Sequence, residues 1–136
     1  MTCPYFEPLE PLAEPAFHNA RLPLIEQYGG ICHVGPEPFQ STKTCCNHGY
    51  AHGQCERFPV EVKNTAHRFS LLRQDSGELE LLFIREEDYA PAFTLQLHFS
   101  VIGNRLSEHD LDSCIAAQAL AFCRSYLRKI VDVASA

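Results

Sequence analysis

The sequence predicts a single α+β domain over residues 1–136, and three observations predict it. A period-two run occupies 93–101, apolar residues recur at intervals of three and four after position 107, and prolines and glycines crowd into the first 59 residues. The chain is thus expected to divide into an irregular half, 1–59, and a conventional half, 60–136, made of a three-stranded antiparallel meander and a C-terminal helix.

The first half holds eight of the nine prolines and five of the seven glycines, a composition that breaks long regular elements. Pro4, Pro8, Pro11 and Pro15 remove backbone donors and favour extended geometry, so the opening arm reads as an irregular strap. The only regular element expected there is a short helical turn around Ala20 to Tyr28, ended by Gly29-Gly30. In the second half, His67 to Arg73 and Glu78 to Arg85 read as strands joined by the turn Gln74-Asp75-Ser76-Gly77. In the third strand Phe93, Leu95, Leu97, Phe99 and Val101 alternate with polar residues, the pattern of a strand with one buried face. Ser107 offers a helix N-cap, followed by Asp110 three residues on. Leu111, Ile115, Ala119, Phe122, Tyr126, Ile130 and Val133 then form one apolar stripe that should pack on the sheet, with Cys114 and Cys123 as small buried hydrophobes beside it.

Composition excludes several function classes. Eleven Lys and Arg against seventeen Asp and Glu give a net charge of -6 with no basic run, so nucleic acid is not an expected partner. No apolar stretch is long enough for a membrane-spanning helix, and the acidic, Pro-rich start is unlike a signal peptide, so the protein is expected in the cytoplasm and off the membrane. The nucleotide and hydrolase patterns G-x-G-x-x-G, G-x-x-x-x-G-K-[ST] and G-x-S-x-G are absent.

Seven cysteines in a chain expected in a reducing compartment are an anomaly. With Cys114 and Cys123 assigned to the helix, five remain in the irregular half: Cys3, Cys32, Cys45, Cys46 and Cys55. That half has too little periodic apolar sequence to offset its ordering entropy, roughly 1–2 kcal/mol per residue, so something must staple it. A metal centre gripping Cys3, Cys32, Cys46 and Cys55 would fasten the arm, the Gly-Gly turn and the CCNHGYAHGQC loop together. No C-x2-C pair of the kind usual in structural zinc sites occurs, and the long spacings suit a 4Fe–4S cluster with one thiolate on each iron corner. Tyr5, Phe6, Tyr28, Phe39, Tyr50 and Phe58 could supply its apolar shell. Cys45 is the spare, because adjacent side chains in extended backbone point opposite ways, although exchange with Cys46 stays open. The alternatives are zinc on Cys46, His48, His52 and Cys55, which leaves Cys3 and Cys32 without a role, and thiols that bind nothing or pair under oxidation.

The segments CPYFEP at 3–8, GGICH at 29–33 and CNHGYAHGQCERFP at 46–59 resemble a group of small, uncharacterised bacterial proteins with an N-terminal four-cysteine motif. The resemblance extends through the sheet and helix. It implies one ligand each from Cys3, Cys32, Cys46 and Cys55, and no activity.

Two function classes follow. One is a redox or sensing protein that passes or registers single electrons and whose negative charge steers a basic protein partner. The other is an interaction module in which the cluster or a zinc ion only staples the fold. An enzyme ranks third, since four cysteine ligands leave no open coordination position. A catalytic thiol at Cys45 or Cys46 activated by His48 or His52, a cation site on Glu86, Glu87 and Asp88, and a site lined by His98 are weaker readings. Their ordinary counterparts, a solvated acidic loop and a hydrogen-bonded or exposed histidine, are preferred, as they are for His18, His67 and His109.

Overall fold

The computed structural model describes residues 2–11, 28–41, 44–47, 52, 54–59 and 61–135, with the side chains of 44, 45 and 129–135 excepted. The elements in chain order are β1 (Phe6–Pro11), β2 (Tyr28–Cys32), β3 (Phe39–Ser41), α1 (Thr44–Asn47), β4 (Thr65–Asp75), β5 (Glu78–Glu87), β6 (Ala90–Ser100), β7 (Arg105–Leu106) and α2 (Ser113–Ser135). They form two antiparallel sheets, ordered β1-β2-β3 and β4-β5-β6-β7, with α2 as the one long helix. The α+β class follows the sequence pattern; the larger sheet gains a short fourth strand, β7.

The larger sheet is built by two tight hairpins. Ser76-Gly77 joins Asp75 to Glu78, and Gly77 takes φ +94°, a left-handed backbone that glycine adopts without a Cβ clash. Asp88-Tyr89 joins β5 to β6 with both residues at positive φ, 51° and 69°, as the twist of a two-residue hairpin favours. One face of this sheet meets α2. Phe69, Leu79, Leu81, Phe83, Leu97 and Phe99 pack with Ala119, Phe122 and Cys123 of the helix, all buried. The alternation in β6 marks the face correctly, but burial is confined to Leu97 and Phe99: Phe93 nearer its start is exposed, and so is Val101, which lies in the turn just past its end.

Helix α2 starts later than the sequence suggests. Asp112, not Ser107, is the N-cap: its carboxylate accepts from the Cys114 N–H at 2.9 Å and the Ile115 N–H at 3.3 Å. Ser107 is committed to the sheet, donating its N–H to the His98 carbonyl at 2.8 Å. Glu108 does the same, accepting from the His98 backbone N–H at 3.1 Å and bonding its ring at 2.9 Å. The backbone bond of Ser107 and the side-chain bonds of Glu108 to His98 tie 107–108 to the strand and delay the helix.

The N-terminal half is more regular than its composition suggests, with three strands and a turn of helix among the described residues. The expected helical turn lies mostly outside them, but Tyr28-Gly29-Gly30 is strand rather than a helix end. Gly30 is required by packing: a Cβ there would fall on the Glu7 carbonyl oxygen of the paired strand. The prolines of the arm are tolerated because Pro8 and Pro11 sit on β1, which pairs on one side only.

Candidate metal centre

The four cysteines singled out in the sequence come from four different segments. Cys3 lies between the backbone bridge Thr2↔His67, which hooks the arm onto β4, and a turn closed by the Phe6 N–H on the Cys3 carbonyl at 3.1 Å. Cys32 ends β2, paired with Phe6 on one side and Phe39 on the other. Cys46 rides on α1, and its carbonyl accepts the Cys3 N–H at 3.2 Å. Cys55 opens a turn closed by the Phe58 N–H at 3.1 Å. Cys3, Cys46 and Cys55 share one packed cluster with Phe6, Tyr28, Phe58 and Tyr5, while Cys32 is buried beside Phe6.

Electrostatics link all four. Burial pushes the Cys3 thiol up to about 12, the Tyr5 backbone N–H donating to its sulfur pulls the other way, and the charges of Cys46, Cys32 and Cys55 each add to the rise. A buried thiol such as Cys3 favours the protonated form, and thiolate ligation at this position would require a cation beside it to offset that burial. Among the described residues no group of three or more His, Cys, Asp and Glu side chains is gathered as the ligands of a metal ion would be. The four residues offer only soft sulfur donors, the ligand type that iron–sulfur centres take.

The surroundings are built to fix this corner. Ser41 Oγ lies 3.3 Å from Cys46 Sγ in a buried contact. Asn47 clamps the backbone of Tyr28, accepting from its N–H at 2.7 Å and donating to its carbonyl at 3.0 Å, which ties α1 to β2. Tyr5 and Phe58 meet edge to face at 5.5 Å, as do His52 and Phe58, and Arg57 lies 3.6 Å over the Phe39 ring. Tyr50 and His48, and with His48 the full zinc set, fall outside the described residues, as does the Cys45 side chain.

Several supporting residues escaped the sequence reading. Gln118, fully buried, donates from Nε2 to the Cys3 carbonyl at 2.8 Å and to the Phe6 carbonyl at 2.7 Å, and its Oε1 lies 3.0 Å from His67 Nδ1. Tyr28 places its hydroxyl 2.9 Å from Ser125 Oγ and accepts from Arg128 at 2.6 Å. These belong to a second stripe of α2, Cys114-Gln118-Ala121-Ser125-Arg128, at the same three-four spacing as the apolar one. The spacing was legible, but small and polar residues carry no apolar signal. Of the weaker candidates, Glu86 pairs with Arg68 at 3.1 Å, Glu87 with Lys63 at 3.7 Å, and His98 with Glu108 on the sheet edge. Cys123 is fully buried, its thiol pushed up to about 12 by that burial. His18 lies outside the described residues, and His109 is exposed.

No family model matches this chain, and no curated protein or solved structure is significantly similar to it. Among the described residues, no helix is long and apolar enough to cross a membrane.

Proposed function

We propose that this chain binds a 4Fe–4S cluster through Cys3, Cys32, Cys46 and Cys55 and uses it to transfer or register single electrons in the cytoplasm. The observation that carries this reading is that Cys3, Cys46 and Cys55, distant in sequence, pack in one cluster with Phe6, Tyr28 and Phe58, while Cys32 is buried on the strand residue paired with Phe6. Short-range folding alone does not gather such thiols, and no disulfide uses the described ones. The apolar shell of Phe6, Tyr28 and Phe58 limits water at the site, and the Tyr5 N–H and Ser41 hydroxyl offer the hydrogen bonds to sulfur that set a cluster's potential. A net charge of -6 suits a basic protein partner.

A second reading has its own support. Each ligand candidate comes from a different segment, so a centre there also staples the N-terminal half, whether or not it exchanges electrons. Anaerobic purification with iron, acid-labile sulfide and zinc counted per chain separates the metals: iron and sulfide near four each support the cluster, and zinc with no sulfide overturns it. Reversible reduction without unfolding supports electron transfer, and a centre that cannot be reduced leaves the staple. Cys55→Ser should lose the centre while Cys114→Ser keeps it; retention in Cys55→Ser overturns the ligand assignment.

A further inference from the structure

A cavity of about 410 Å³ opens beside the Cys3 turn, where the N-terminal arm, β5 and the start of α2 meet. That volume is within the range of small-molecule sites, roughly 300–1,000 Å³. Its walls include Tyr5, Val62, Thr65, Arg85, Asp112 and Cys114. The electron-transfer reading does not use it.

Arg85 is the informative member. Its Nε lies 3.3 Å from His67 Nε2, and a guanidinium can only donate, so His67 Nε2 accepts. His67 Nδ1 then carries the proton and donates to Gln118 Oε1 at 3.0 Å, and the Gln118 amide donates to the Cys3 and Phe6 carbonyls. Every donor in this chain is matched to an acceptor. His67 and Gln118 are both about fully buried, and burying such polar groups is costly unless each is satisfied. What the chain achieves is to fix one nitrogen of a guanidinium at the cavity wall, with its terminal nitrogens left to serve another group. Among the described residues no carboxylate forms an ion pair with Arg85, although Glu87 and Asp112 line the same cavity. Glu87 pairs with Lys63, and Asp112 caps α2.

We propose that this cavity binds a small organic carboxylate that also carries a hydrogen-bond donor, a hydroxy acid or an amino acid, with its carboxylate on the Arg85 fork and its donor toward Asp112 and Glu87. The fork geometry of arginine matches a carboxylate with two parallel bonds. His33 also lines the cavity but its Nε2 is taken by Glu7 at 2.7 Å, so Arg85 faces Glu87 and Asp112 with no positive excess, which disfavours a phosphate dianion and favours a monoanion with a donor at its other end. Pro4, Tyr5 and Val62 supply an apolar wall for a short carbon chain. The inference does not depend on what the four thiols hold.

Titration of the full-length, purified protein with L-lactate, L-alanine, acetate and inorganic phosphate, followed by backbone amide resonances, tests it. Lactate or alanine should shift Thr65, Arg85 and Ser113 saturably, acetate should bind at least about tenfold more weakly, and phosphate should leave these signals in place. Arg85→Gln should weaken the acid's binding by about tenfold or more, and Arg85→Lys, which keeps the charge and the fold but not the fork, should fall between. Absence of a saturable shift with both acids, tighter binding of phosphate, or unchanged affinity in folded Arg85→Lys overturns the proposal.

Discussion

The two sheets of this protein bury different things against the same helix. On one face α2 meets Phe69, Leu79, Leu81, Phe83, Leu97 and Phe99, a core of large apolar side chains. Toward the other, the buried cluster is Cys3, Phe6, Tyr28, Cys46, Phe58 and Ala121, in which thiols stand where leucines would be. Each large apolar side chain buried contributes roughly 1.5–3 kcal/mol, so the first sheet can be organised by packing alone. The second has three large apolar groups and leans on directional bonds instead: Gln118 to two carbonyls of the arm, Asn47 to both backbone groups of Tyr28, Arg128 to the Tyr28 hydroxyl. The difference teaches why one helix needs two stripes. Its apolar stripe builds a core, and its polar stripe positions a strap that has no core of its own.

The largest effect that tests this contrast lies in the first sheet. Phe83 is fully buried, with its ring 4.9 Å from His67 and 5.4 Å from Phe69. Phe83→Ala should cost about 3–5 kcal/mol in denaturant unfolding, by lost transfer energy and the cavity left behind. The same loss is expected whether the thiols are metal-loaded or metal-free. A loss that changes with metal loading would show that the two regions do not draw their stability from separate sources.

That contrast also explains what was legible beforehand. The C-terminal half announced itself locally: alternation marked β6, because one buried face imposes a period of two, and the turn residues before Glu78 marked β4 and β5, which run a little longer than expected. The helix start was misread because Ser107-x-x-Asp110 resembles a capping box, while the competing bonds of Ser107 and Glu108 to His98, in another strand, leave no local trace. Three strands were missed in the first half for a related reason. β1 carries Pro8 and Pro11, and β2 carries Gly29 and Gly30, residues that local propensity rejects in strands, yet one-sided pairing and the close approach at Gly30 require or permit them. That Cys3, Cys46 and Cys55 deserved notice was legible because cysteine composition, unlike strand periodicity, does not depend on local order; the structure packs these three in one cluster. Gln118 and Arg85 were not, since neither residue type signals burial or a site until its partners are known.

A smaller effect is expected at the seam between the regions. Burial holds His67 down to about 4, below the ordinary 6.5, with the Gln118 hydrogen bond opposing and Arg85 adding to the fall. An unfolded chain therefore takes up this proton first on acidification. The stability His67 contributes is fully present above about pH 6.5 and is lost as pH falls toward 4, in total about 3 kcal/mol. Because His67 exchanges both backbone bonds with Thr2, at 2.7 and 2.8 Å, acid should release the arm before the larger sheet opens. Amide exchange near pH 5 reads this directly: loss of protection at Thr2 ahead of Phe83 is expected, simultaneous loss would mean the seam is not where the regions part, and His67→Gln should flatten the acid limb.

The smallest expected effect comes from His98, on the sheet edge far from the seam. The Glu108 hydrogen bond raises its pKa, against a small burial penalty, and Glu108, Glu80 and Glu78 all add to the rise. The sign is opposite to that of His67: a raised native pKa contributes stability that is fully present below about pH 6.5 and is lost as pH climbs through the native value. With 38% of its side chain exposed the pair is screened, so it is worth only a few tenths of a kcal/mol, about 1 at most. Salt distinguishes the two histidines where their pH ranges adjoin. Screening by about 1 M sodium chloride should erase the shallow His98 slope above about pH 6.5 while leaving the acid limb of His67, whose cause is burial, in place. If His98→Gln and high salt leave the slope above about pH 6.5 unchanged, that slope belongs to another group, and the edge pair contributes position alone.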